Sequence, residues 1–288
     1  MSNYENNYNQ LCQWLHISPS NFKIKDISSI THFENRIIVA NRKFNYGDIL
    51  VEIPDSQLLD NDWISASQKK KFPFNSINSH LALYLLNNPH PWRKYLQIVP
   101  QKKSFQTHAL FLTPSQKKIL QPTILFNAKD SHYNLSQYAK YIRHDLNLLQ
   151  KAGYNKNQLS QFLYYRLIVG SRVFSYQKKG SKYNGLVPWV DLLNHNSKPN
   201  TKWFYDNTKN KFVLQATRDI LPSHEITDTY GSKDNLQMLL YYNFYLPNNP
   251  RPLPLTRPPQ SLPTKELMME NKIPHDIIML VEEEKSKH

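Results

Sequence analysis

Two segments with the polarity pattern of short strands flank a long stretch with helical spacing. Residues 33–54 contain two apolar runs, IIVA and ILVEI, separated by a turn with Asn45, Gly47 and Asp48. Farther along, KWFYD and KFVLQA alternate in polarity around residues 207–210, as in a β-hairpin, and LVPWV and EITDTY are further candidate strands. Neither group of strands is large enough to be stable alone. We therefore predict an α+β fold in which one β core is interrupted by a mostly helical insert.

The predicted core has two parts, separated by the insert and followed by a tail. We place its N-terminal part at residues 1–60, the basic helical insert at 61–158, its C-terminal part at 159–246, and a proline-rich arm with a terminal helix at 247–288. Apolar spacing predicts a helix over residues 159–174. A second helix, DNLQMLLYYNFYL, is predicted to be capped by Ser232 and ended by Pro247.

Several classes of site are excluded by what the sequence lacks. With six glycines, the chain contains neither GxGxxG nor GxxxxGK[ST], which argues against a Rossmann or P-loop nucleotide site. It contains no GxSxG and no HExxH. Its single cysteine, Cys12, can form neither an internal disulfide nor a thiolate cluster for zinc. We predict an enzyme or binding protein that holds no metal.

Positive charge is concentrated in the insert. The formal net charge is +14, and residues 61–160 contain fourteen Lys or Arg against three Asp and no Glu. A localised basic field attracts acidic partners such as nucleic acid, anionic lipid or an acidic protein, although an ordinary solvated surface has the same composition. The partner we expect is a protein substrate of acidic or nucleic-acid-associated character.

Two short polar motifs follow apolar runs: DLLNH at residues 191–195 and DTYG at residues 228–231. Taken alone, His195 fits a turn histidine and Tyr230 fits a buried tyrosine whose hydroxyl bonds to the backbone. The order ENRIIVA, SRVF, DLLNH, DTYG, YYNF is more specific. With this order the chain resembles the SET-domain protein methyltransferases, in the branch that contains the RuBisCO large-subunit lysine methyltransferase and the actin-histidine methyltransferase.

The resemblance covers roughly residues 33–60 and 165–246, and the helical insert lies where that branch carries one. It implies a SET-type β core of short strands with a C-terminal pseudoknot, and S-adenosylmethionine as the cofactor, with S-adenosylhomocysteine as its product. In the family, DLLNH lines the cofactor pocket, and the tyrosine before the glycine borders the channel where donor and acceptor meet. The resemblance implies cofactor-binding roles for Glu34, Asn35, Arg36, Ser171, Asp191, Asn194, His195 and Phe244. It implies substrate-binding roles for Arg172, Phe174 and Tyr242, and a catalytic role for Tyr230.

The chemistry of methyl transfer suits these residue types. The donor is a sulfonium cation, so neutral hydrogen-bonding groups and carbonyl oxygens stabilise its methyl group better than a fixed positive charge does. Free lysine is almost wholly protonated near neutrality, and the acceptor amine must lose its proton first. A neighbouring sulfonium and a desolvated channel both lower the amine pKa, so no dedicated base is required. The hydroxyl of Tyr230 then has an orienting role.

Lysine is the predicted acceptor. The lysine-modifying relatives resemble this chain in having aromatic residues at Phe174 and Tyr242, where the histidine-modifying relative has polar or small ones. An aromatic channel suits an aliphatic chain that ends in an amine. Two alternatives stay open. One is a protein histidine N-methyltransferase, and the other is a catalytically decayed SET core that binds partners through its basic insert, because residues 34–37 lack the glycines usual in relatives.

The chain ends give weaker signals. MSNYENNYNQ lacks the basic start and hydrophobic stretch of a secretory signal, and no apolar run has membrane-spanning length. We expect a cytoplasmic monomer, with the nucleus or export from an intracellular bacterium left open. About forty residues follow the predicted core, where relatives continue into a large substrate-binding domain. Substrate recognition is therefore expected to rely on the insert or on the tail, whose acidic end VEEEKSKH is either a solvated helix end or a partner-binding segment.

Overall fold

The computed structural model describes residues 3–26, 36–128, 134–255 and 261–287. The chain divides into two compact units. Unit 1 takes in residues 1–100 and 172–231, and unit 2 takes in residues 101–171 and 232–288. Both sequence-distant β segments belong to unit 1, as the prediction of one interrupted β core requires. The functional boundaries placed at residues 60, 158 and 246 stay a prediction, because these units are defined by compactness alone.

Every strand in the described part of the chain belongs to unit 1. The strands are β1 (Phe22–Asp26), β2 (Arg36–Ala40), β3 (Ile49–Pro54), β4 (Val173–Lys178), β5 (Ser181–Leu186), β6 (Asn194–His195), β7 (Thr201–Asp206), β8 (Lys211–Ala216) and β9 (Thr227–Asp228). They form four small sheets rather than one large one. Antiparallel pairing joins β1 to β2, β4 to β5, and β3, β8 and β7 in that order, whereas β6 and β9 are parallel.

Helices occur in both units. Unit 1 contains α1 (Asn3–Trp14), α2 (Ala66–Lys71), α3 (Ile77–Asn87) and α4 (Arg93–Leu96). Unit 2 contains α5 (Pro114–Leu120), α6 (Ile124–Asn127), α7 (Leu135–Lys151), α9 (Asn235–Tyr242), α10 (Lys265–Glu270) and α11 (His275–Ser286). Helix α8 (Lys156–Arg172) lies in unit 2 except for its last residue.

The local predictions have mixed outcomes. The hairpin around residues 207–210 is confirmed, since β7 and β8 pair from Thr201 with Ala216 to Asp206 with Lys211. The helix predicted over residues 159–174 ends at Arg172 instead, and Phe174 lies in strand β4. The predicted cap Ser232 is wrong.

The helix that follows Gly231 begins later than predicted because a better cap stands two residues beyond Ser232. Asp234 accepts a hydrogen bond from the amide of Gln237, and the Gln237 side chain binds the Asp234 amide in return, which forms a capping box. The helix ends at Tyr242, where Asn243 adopts a left-handed conformation with φ 63°, rather than at Pro247.

A buried tryptophan fixes the chain just before DLLNH, where the strand LVPWV was predicted. Trp189 is fully buried and has φ 75°, so the segment turns there instead of continuing as a strand. Its indole donates to the hydroxyl of Tyr8 at 3.1 Å, and its ring lies 4.7 Å from Phe22. Helix α1 and strand β1 therefore hold the entry to the DLLNH segment in place.

The tail packs into the core of unit 2. Leu253 in the proline-containing segment and Met268 in α10 are buried in one hydrophobic cluster with α9 and α11. The amide of Ile124 donates to the carboxylate of the buried Glu284 at 2.9 Å, which ties α11 to α6. The predicted terminal helix is thus observed as α11, and it contributes apolar residues to a core.

The fold class is confirmed as α+β, with short strands and many helices. The C-terminal pseudoknot stays a prediction. In the described residues, no helix is both long and apolar enough to span a membrane. The same residues include no cluster of three or more His, Cys, Asp or Glu side chains arranged to hold a metal ion.

Candidate active site

The DLLNH segment and the DTYG segment meet in the smallest sheet of unit 1. After a single 3-10 turn at Val190–Leu192, the chain enters β6, which pairs in parallel with β9. Asn194 lies opposite Thr227, and His195 lies opposite Asp228. Two motifs about 35 residues apart in the sequence are thereby brought together, as the family resemblance implies.

Asn194 joins three segments of the chain. Its side-chain amide donates to the backbone carbonyl of Arg36 and to the carboxylate of Glu225, each at 2.9 Å. Burial raises the pKa of Glu225, and the bond from Asn194 opposes that rise. Both amide hydrogens of Asn194 are thus used to hold β2 and the segment that leads into β9 beside β6. The amide oxygen of Asn194 takes no part in these two bonds, and such an oxygen can accept a hydrogen bond from a ligand.

His195 fixes the backbone at Tyr230. Its Nδ1 accepts a hydrogen bond from the Tyr230 amide at 3.0 Å, and the two rings lie 5.3 Å apart. Because Nδ1 is the acceptor, the proton of the neutral ring is assigned to Nε2. His195 therefore positions the tyrosine.

The hydroxyl of Tyr230 returns to the DLLNH segment. It donates to the backbone carbonyl of Leu193 at 2.9 Å, and the side chain is half-buried. This bond fixes the direction of the hydroxyl hydrogen, so the lone pairs of the oxygen point away from the Leu193 carbonyl. A packing tyrosine makes the same kind of bond, and what distinguishes Tyr230 is that both its amide and its hydroxyl are held by residues of one motif.

A buried ion pair underlies this arrangement. The side chain of Asp191 is fully buried, Tyr95 donates its hydroxyl to Oδ2, and the guanidinium of Arg172 lies 3.6 Å from the same oxygen. Arg172 also donates to the Asp191 carbonyl at 2.5 Å. Burial raises the pKa of Asp191 to about 6, although Arg172 and Tyr95 act in the opposite direction. The carboxylate neutralises most of the positive charge that Arg172 brings into the site.

Two atoms of that pair have no hydrogen-bond partner among the described residues. They are Oδ1 of Asp191 and Nε of Arg172, and both are buried. Unpaired buried polar atoms are uncommon, since each costs about 1–3 kcal/mol. One donor and one acceptor of the ion pair are thus without a protein partner, and Tyr230 is close enough to influence the pKa of Arg172.

Arg36 contributes its backbone to the site, while its side chain turns to helix α1. The guanidinium lies 4.1 Å above the ring of Tyr4 and donates to the carbonyl of Ile98 at 2.8 Å. The hydroxyl of Tyr4 donates to the same carbonyl at 2.9 Å. The Arg36 carbonyl is the atom that meets Asn194. A role for Arg36 in holding the amino-acid end of the cofactor stays a prediction.

Phe174 lies in an aromatic cluster of unit 1. Its ring contacts Trp203 at 5.3 Å and Phe212 at 5.5 Å, both edge to face, and Trp203 and Phe212 stack at 5.4 Å. These residues come from β4, β7 and β8. Phe174 and Trp203 are only partly buried, so the cluster presents aromatic surface at its edge. This is the kind of surface that an aliphatic side chain requires.

The other predicted residues belong to unit 2 or lie outside the described residues. Glu34 and Asn35 lie outside the described residues. Ser171 belongs to unit 2 and donates its hydroxyl to Leu167 at 3.0 Å, as helical serines often do. Tyr242 and Phe244 also belong to unit 2, where their rings are 6.4 Å apart. The cofactor and acceptor roles of these residues stay predictions.

Four residues that the sequence did not single out contribute to the site. They are Tyr95, Trp203, Glu225 and Asp228. Tyr95 lies in the predicted insert, 96 residues from its partner Asp191, and no local pattern connects them. Asp228 lies within the polar motif DTYG, and nothing in the local sequence indicates that its side chain is buried.

Comparison with protein families identifies the architecture. A model of the SET domain matches residues 35–231, which is more than half of the chain. The chain belongs to the SET-domain family. The match takes in β2 through the DTYG segment and includes all the unit 1 residues described above from Arg36 onward. The predicted family resemblance is confirmed.

The SET-domain protein is distantly similar to curated lysine methyltransferases. It is 24% identical over 230 residues to the ribosomal lysine N-methyltransferase set10 of Schizosaccharomyces pombe, which covers 76% of this chain and 41% of the relative. It is 25% identical over 240 residues to the N-lysine methyltransferase SETD6 of Mus musculus, which covers 74% of this chain and 49% of the relative. The chain spans about half the length of the curated relatives that it matches.

Solved structures agree on the fold. The SET domain of LSMT bound to lysine and AdoHcy superposes with a TM-score of 0.65 at 18% identity, covering 85% of this SET-domain protein and 58% of LSMT. Rubisco LSMT bound to AdoMet gives a TM-score of 0.63 at 19% identity, covering 85% and 57%. At this level of sequence identity the structural similarity establishes the fold of the chain. Its chemistry has to be argued from the residues of the site.

Proposed function

We propose that the protein is an S-adenosylmethionine-dependent protein lysine N-methyltransferase. The observation that carries the proposal is the double anchoring of Tyr230, whose amide binds His195 and whose hydroxyl binds the Leu193 carbonyl. Both partners belong to the DLLNH segment, so the tyrosine and the proposed cofactor-binding segment form one rigid assembly. Membership of the SET-domain family and the names of the lysine-modifying relatives support the same activity.

The residues of unit 1 fit the proposed cofactor. S-adenosylmethionine supplies an electrophilic methyl group on a sulfonium centre. Near Tyr230, the side chains of Asn194 and His195 offer neutral polar groups, and the charge of Arg172 is offset by Asp191. The unpaired Nε of Arg172 and Oδ1 of Asp191 give a ligand one donor and one acceptor. A sulfonium is tolerated where no uncompensated cation lies beside it.

In the proposed reaction, the residues of the site orient the acceptor amine and exclude water. The Tyr230 hydroxyl has its hydrogen committed to Leu193, so its oxygen can accept an N–H from the acceptor amine and hold the nitrogen lone pair in line with the methyl group. Loss of the ammonium proton relies on desolvation and on the neighbouring positive charge of the cofactor, both of which lower the pKa of an amine.

Lysine is the proposed acceptor because of the aromatic cluster. Phe174 and Trp203 offer partly exposed rings on unit 1. Ring faces attract an ammonium group and contact a methylene chain. The neighbour LSMT is described with lysine bound, which supports this assignment by similarity. The proposed substrate is a protein of acidic or nucleic-acid-associated character, in line with the basic insert and with the ribosomal relative.

Transfer of a labelled methyl group tests the proposal. The purified protein is incubated with S-adenosylmethionine labelled in its methyl group, together with whole-cell lysate or purified ribosomes, and mass spectrometry locates the label. We expect N-methyllysine, and we expect Tyr230→Phe to reduce transfer by about two orders of magnitude while the protein stays folded. Tyr46→Phe is the matched control, since Tyr46 is 73% exposed. Label on histidine would replace lysine as the acceptor, and absence of transfer to every substrate would contradict the proposed activity.

A further inference from the structure

Tyr95 is a buried tyrosine that reaches the ion pair of the site from a distant part of the chain. It lies in α4, 96 residues before Asp191 in the sequence, and both side chains are fully buried. Its hydroxyl donates to Oδ2 of Asp191, and the guanidinium of Arg172 lies 3.6 Å from the same oxygen. One carboxylate oxygen is thus shared by a neutral donor and a cation.

The segment that carries Tyr95 is held in place by two other elements of unit 1. The carbonyl of Ile98, just after α4, accepts hydrogen bonds from the guanidinium of Arg36 at 2.8 Å and from the hydroxyl of Tyr4 at 2.9 Å. Helix α1 also packs against α4. Because β2 and α1 both fix the backbone beside Tyr95, its hydroxyl is directed at the carboxylate by the fold.

The ionisation of Asp191 decides the net charge of this cluster. Burial raises the pKa of Asp191 to about 6, and the charge of Arg172, the hydroxyl of Tyr95 and the amide of Asp191 itself act against that rise. Tyr4 and Tyr230 are the further ionisable groups that interact with the pair in the described part of the chain. Burial raises the pKa of Tyr4 to about 12, so this phenol stays neutral near pH 7.

The net charge of the pair matters because the proposed cofactor is a cation at sulfur. Asp191 opens the DLLNH segment, and Tyr230 is close enough to influence the pKa of Arg172. With Asp191 ionised, the pair is neutral overall. With Asp191 protonated, the charge of Arg172 is uncompensated, and like charges repel strongly where water is excluded. This repulsion acts on S-adenosylmethionine, whose sulfur is positively charged, more than on S-adenosylhomocysteine, whose sulfur is neutral.

We propose that Tyr95 is a positioning residue that keeps the Asp191 carboxylate ionised against Arg172, so that the site accepts a sulfonium cation. This rests on the proposed function, because it assumes that S-adenosylmethionine binds in the site that contains this pair. Tyr95 acts through the carboxylate rather than through contact with the cofactor, and no covalent bond changes in this step. Its hydroxyl favours the charged form of Asp191 because that form accepts the hydrogen bond.

Comparison of the two forms of the cofactor provides the test. Calorimetric titration gives the Kd of S-adenosylmethionine and that of S-adenosylhomocysteine at pH 5, 6 and 7. In the wild type we expect the ratio of the first Kd to the second to rise about fivefold as the pH falls from 7 to 5, because Asp191 gains a proton in this range. Tyr95→Phe removes a group that holds the pKa of Asp191 down, so its ratio at pH 7 should move toward the wild-type ratio at pH 5.

The ratio separates this role from a merely structural one. A variant that only loosens the fold weakens both ligands alike and leaves the ratio unchanged. Tyr176→Phe is the matched control, since it removes a bond of 2.8 Å from another buried tyrosine to another buried carboxylate, that of Asp60, in the same unit. We expect it to keep the wild-type ratio at each pH. The shift in Tyr95→Phe also assigns the pH dependence to Asp191 rather than to Asp228, whose raised pKa lies in the same range.

Three outcomes would count against the proposal. If the wild type binds both ligands with a ratio that stays constant from pH 5 to pH 7, the inference is wrong, and this result needs no variant and holds even if Tyr95→Phe does not fold. If the ratio changes with pH but is the same in Tyr95→Phe, Tyr95 has no such role. If the wild type binds neither ligand, the proposed function fails and this inference fails with it.

Discussion

At the scale of single residues, the site is defined by polar atoms whose partners come from distant parts of the sequence. Asn194 holds the carbonyl of Arg36, 158 residues away, and Tyr230 holds the carbonyl of Leu193, 37 residues away. Each of these bonds contributes about 1 kcal/mol, but together they fix the relative position of β2, β6 and the DTYG segment. The two buried carboxylates, Asp191 and Asp228, add charge that these neutral bonds do not neutralise.

The raised pKa of Asp228 makes a prediction about stability and pH. In the unfolded chain the carboxyl has its ordinary pKa near 4, and in the folded protein the pKa is about 6. Between these values the folded state binds more protons than the unfolded state, so the contribution of Asp228 to the free energy of unfolding falls as pH rises from about 4 to about 6. We expect Asp228→Asn to remove this dependence.

Urea unfolding across pH measures that difference. The free energy of unfolding of the wild type, minus that of Asp228→Asn, should decrease by about 2–3 kcal/mol between pH 4 and pH 7. The buried amide of the variant adds a constant that does not change with pH. A difference that stays flat over this range would show that Asp228 titrates normally in the folded protein and is not held in an unfavourable environment.

At the scale of secondary-structure elements, the β4–β5 hairpin is fixed by a buried lysine. The amine of Lys178 lies 2.6 Å from Asp55, 3.0 Å from Asp60 and 2.7 Å from Asp62, and its side chain is 1% exposed. Burial acts to lower the pKa of Lys178, but the three carboxylates outweigh it and the pKa lies above its ordinary value. This cluster connects the end of β4, the strand that begins near Phe174, to the loop after β3.

Replacement of Lys178 should destabilise the hairpin strongly. In Lys178→Met the apolar stem is kept, but three neighbouring carboxylates lose their cation, which we expect to lower the free energy of unfolding by about 3 kcal/mol or more. Lys182→Met, at an exposed position on β5, is the matched control and should change stability by less than about 0.5 kcal/mol. Chemical denaturation of both variants at pH 7 measures the effect. If Lys178→Met were as stable as Lys182→Met, the buried cluster would contribute nothing to the stability of the fold.

The elements also show which features a sequence can reveal. The β7–β8 hairpin was predictable because polarity alternates on both sides of a polar turn. The pairing of β6 with β9 was not, because two-residue strands have no period to detect. The positive-φ turn at Trp189 was not predictable, because it depends on burial of the ring between α1 and β1. Phe174 was assigned to a helix because it continues the helical spacing of apolar residues, but the helix ends at Arg172. The active-site motifs were found through family resemblance, whereas the burial of Asp228 is a tertiary property.

At the scale of the whole molecule, positive charge lies on the exposed faces of helices. Helix α7 is a clear case: Lys140, Arg143, His144 and Lys151 are exposed, and its one acidic residue, Asp145, is buried. The exposed face therefore holds no carboxylate to balance its cations. Such a face attracts polyanions in a salt-dependent way, which agrees with the proposed acidic or nucleic-acid-associated substrate.

Charge reversal on α7 tests whether that face contributes to association with a polyanion. We expect Lys140→Glu combined with Arg143→Glu to weaken binding of a single-stranded RNA oligonucleotide several-fold and to flatten its dependence on salt between 50 and 200 mM. Fluorescence anisotropy gives both quantities. Lys265→Glu with Lys272→Glu changes the net charge by the same amount next to the acidic residues of α10, and its effect should be smaller. If the two double variants behaved alike, only net charge would matter.

The central claim is that the assembly of Asn194, His195 and Tyr230 holds a methyl donor, and calorimetric titration with S-adenosylhomocysteine tests it most directly. We predict binding of one molecule per chain and a loss of affinity of tenfold or more in Asn194→Ala, which frees the Arg36 carbonyl and Glu225 from their shared partner. Asn88→Ala, at an exposed helix end, should bind as the wild type does. A correctly folded wild-type protein that released no heat and showed no thermal shift with S-adenosylhomocysteine would contradict the account.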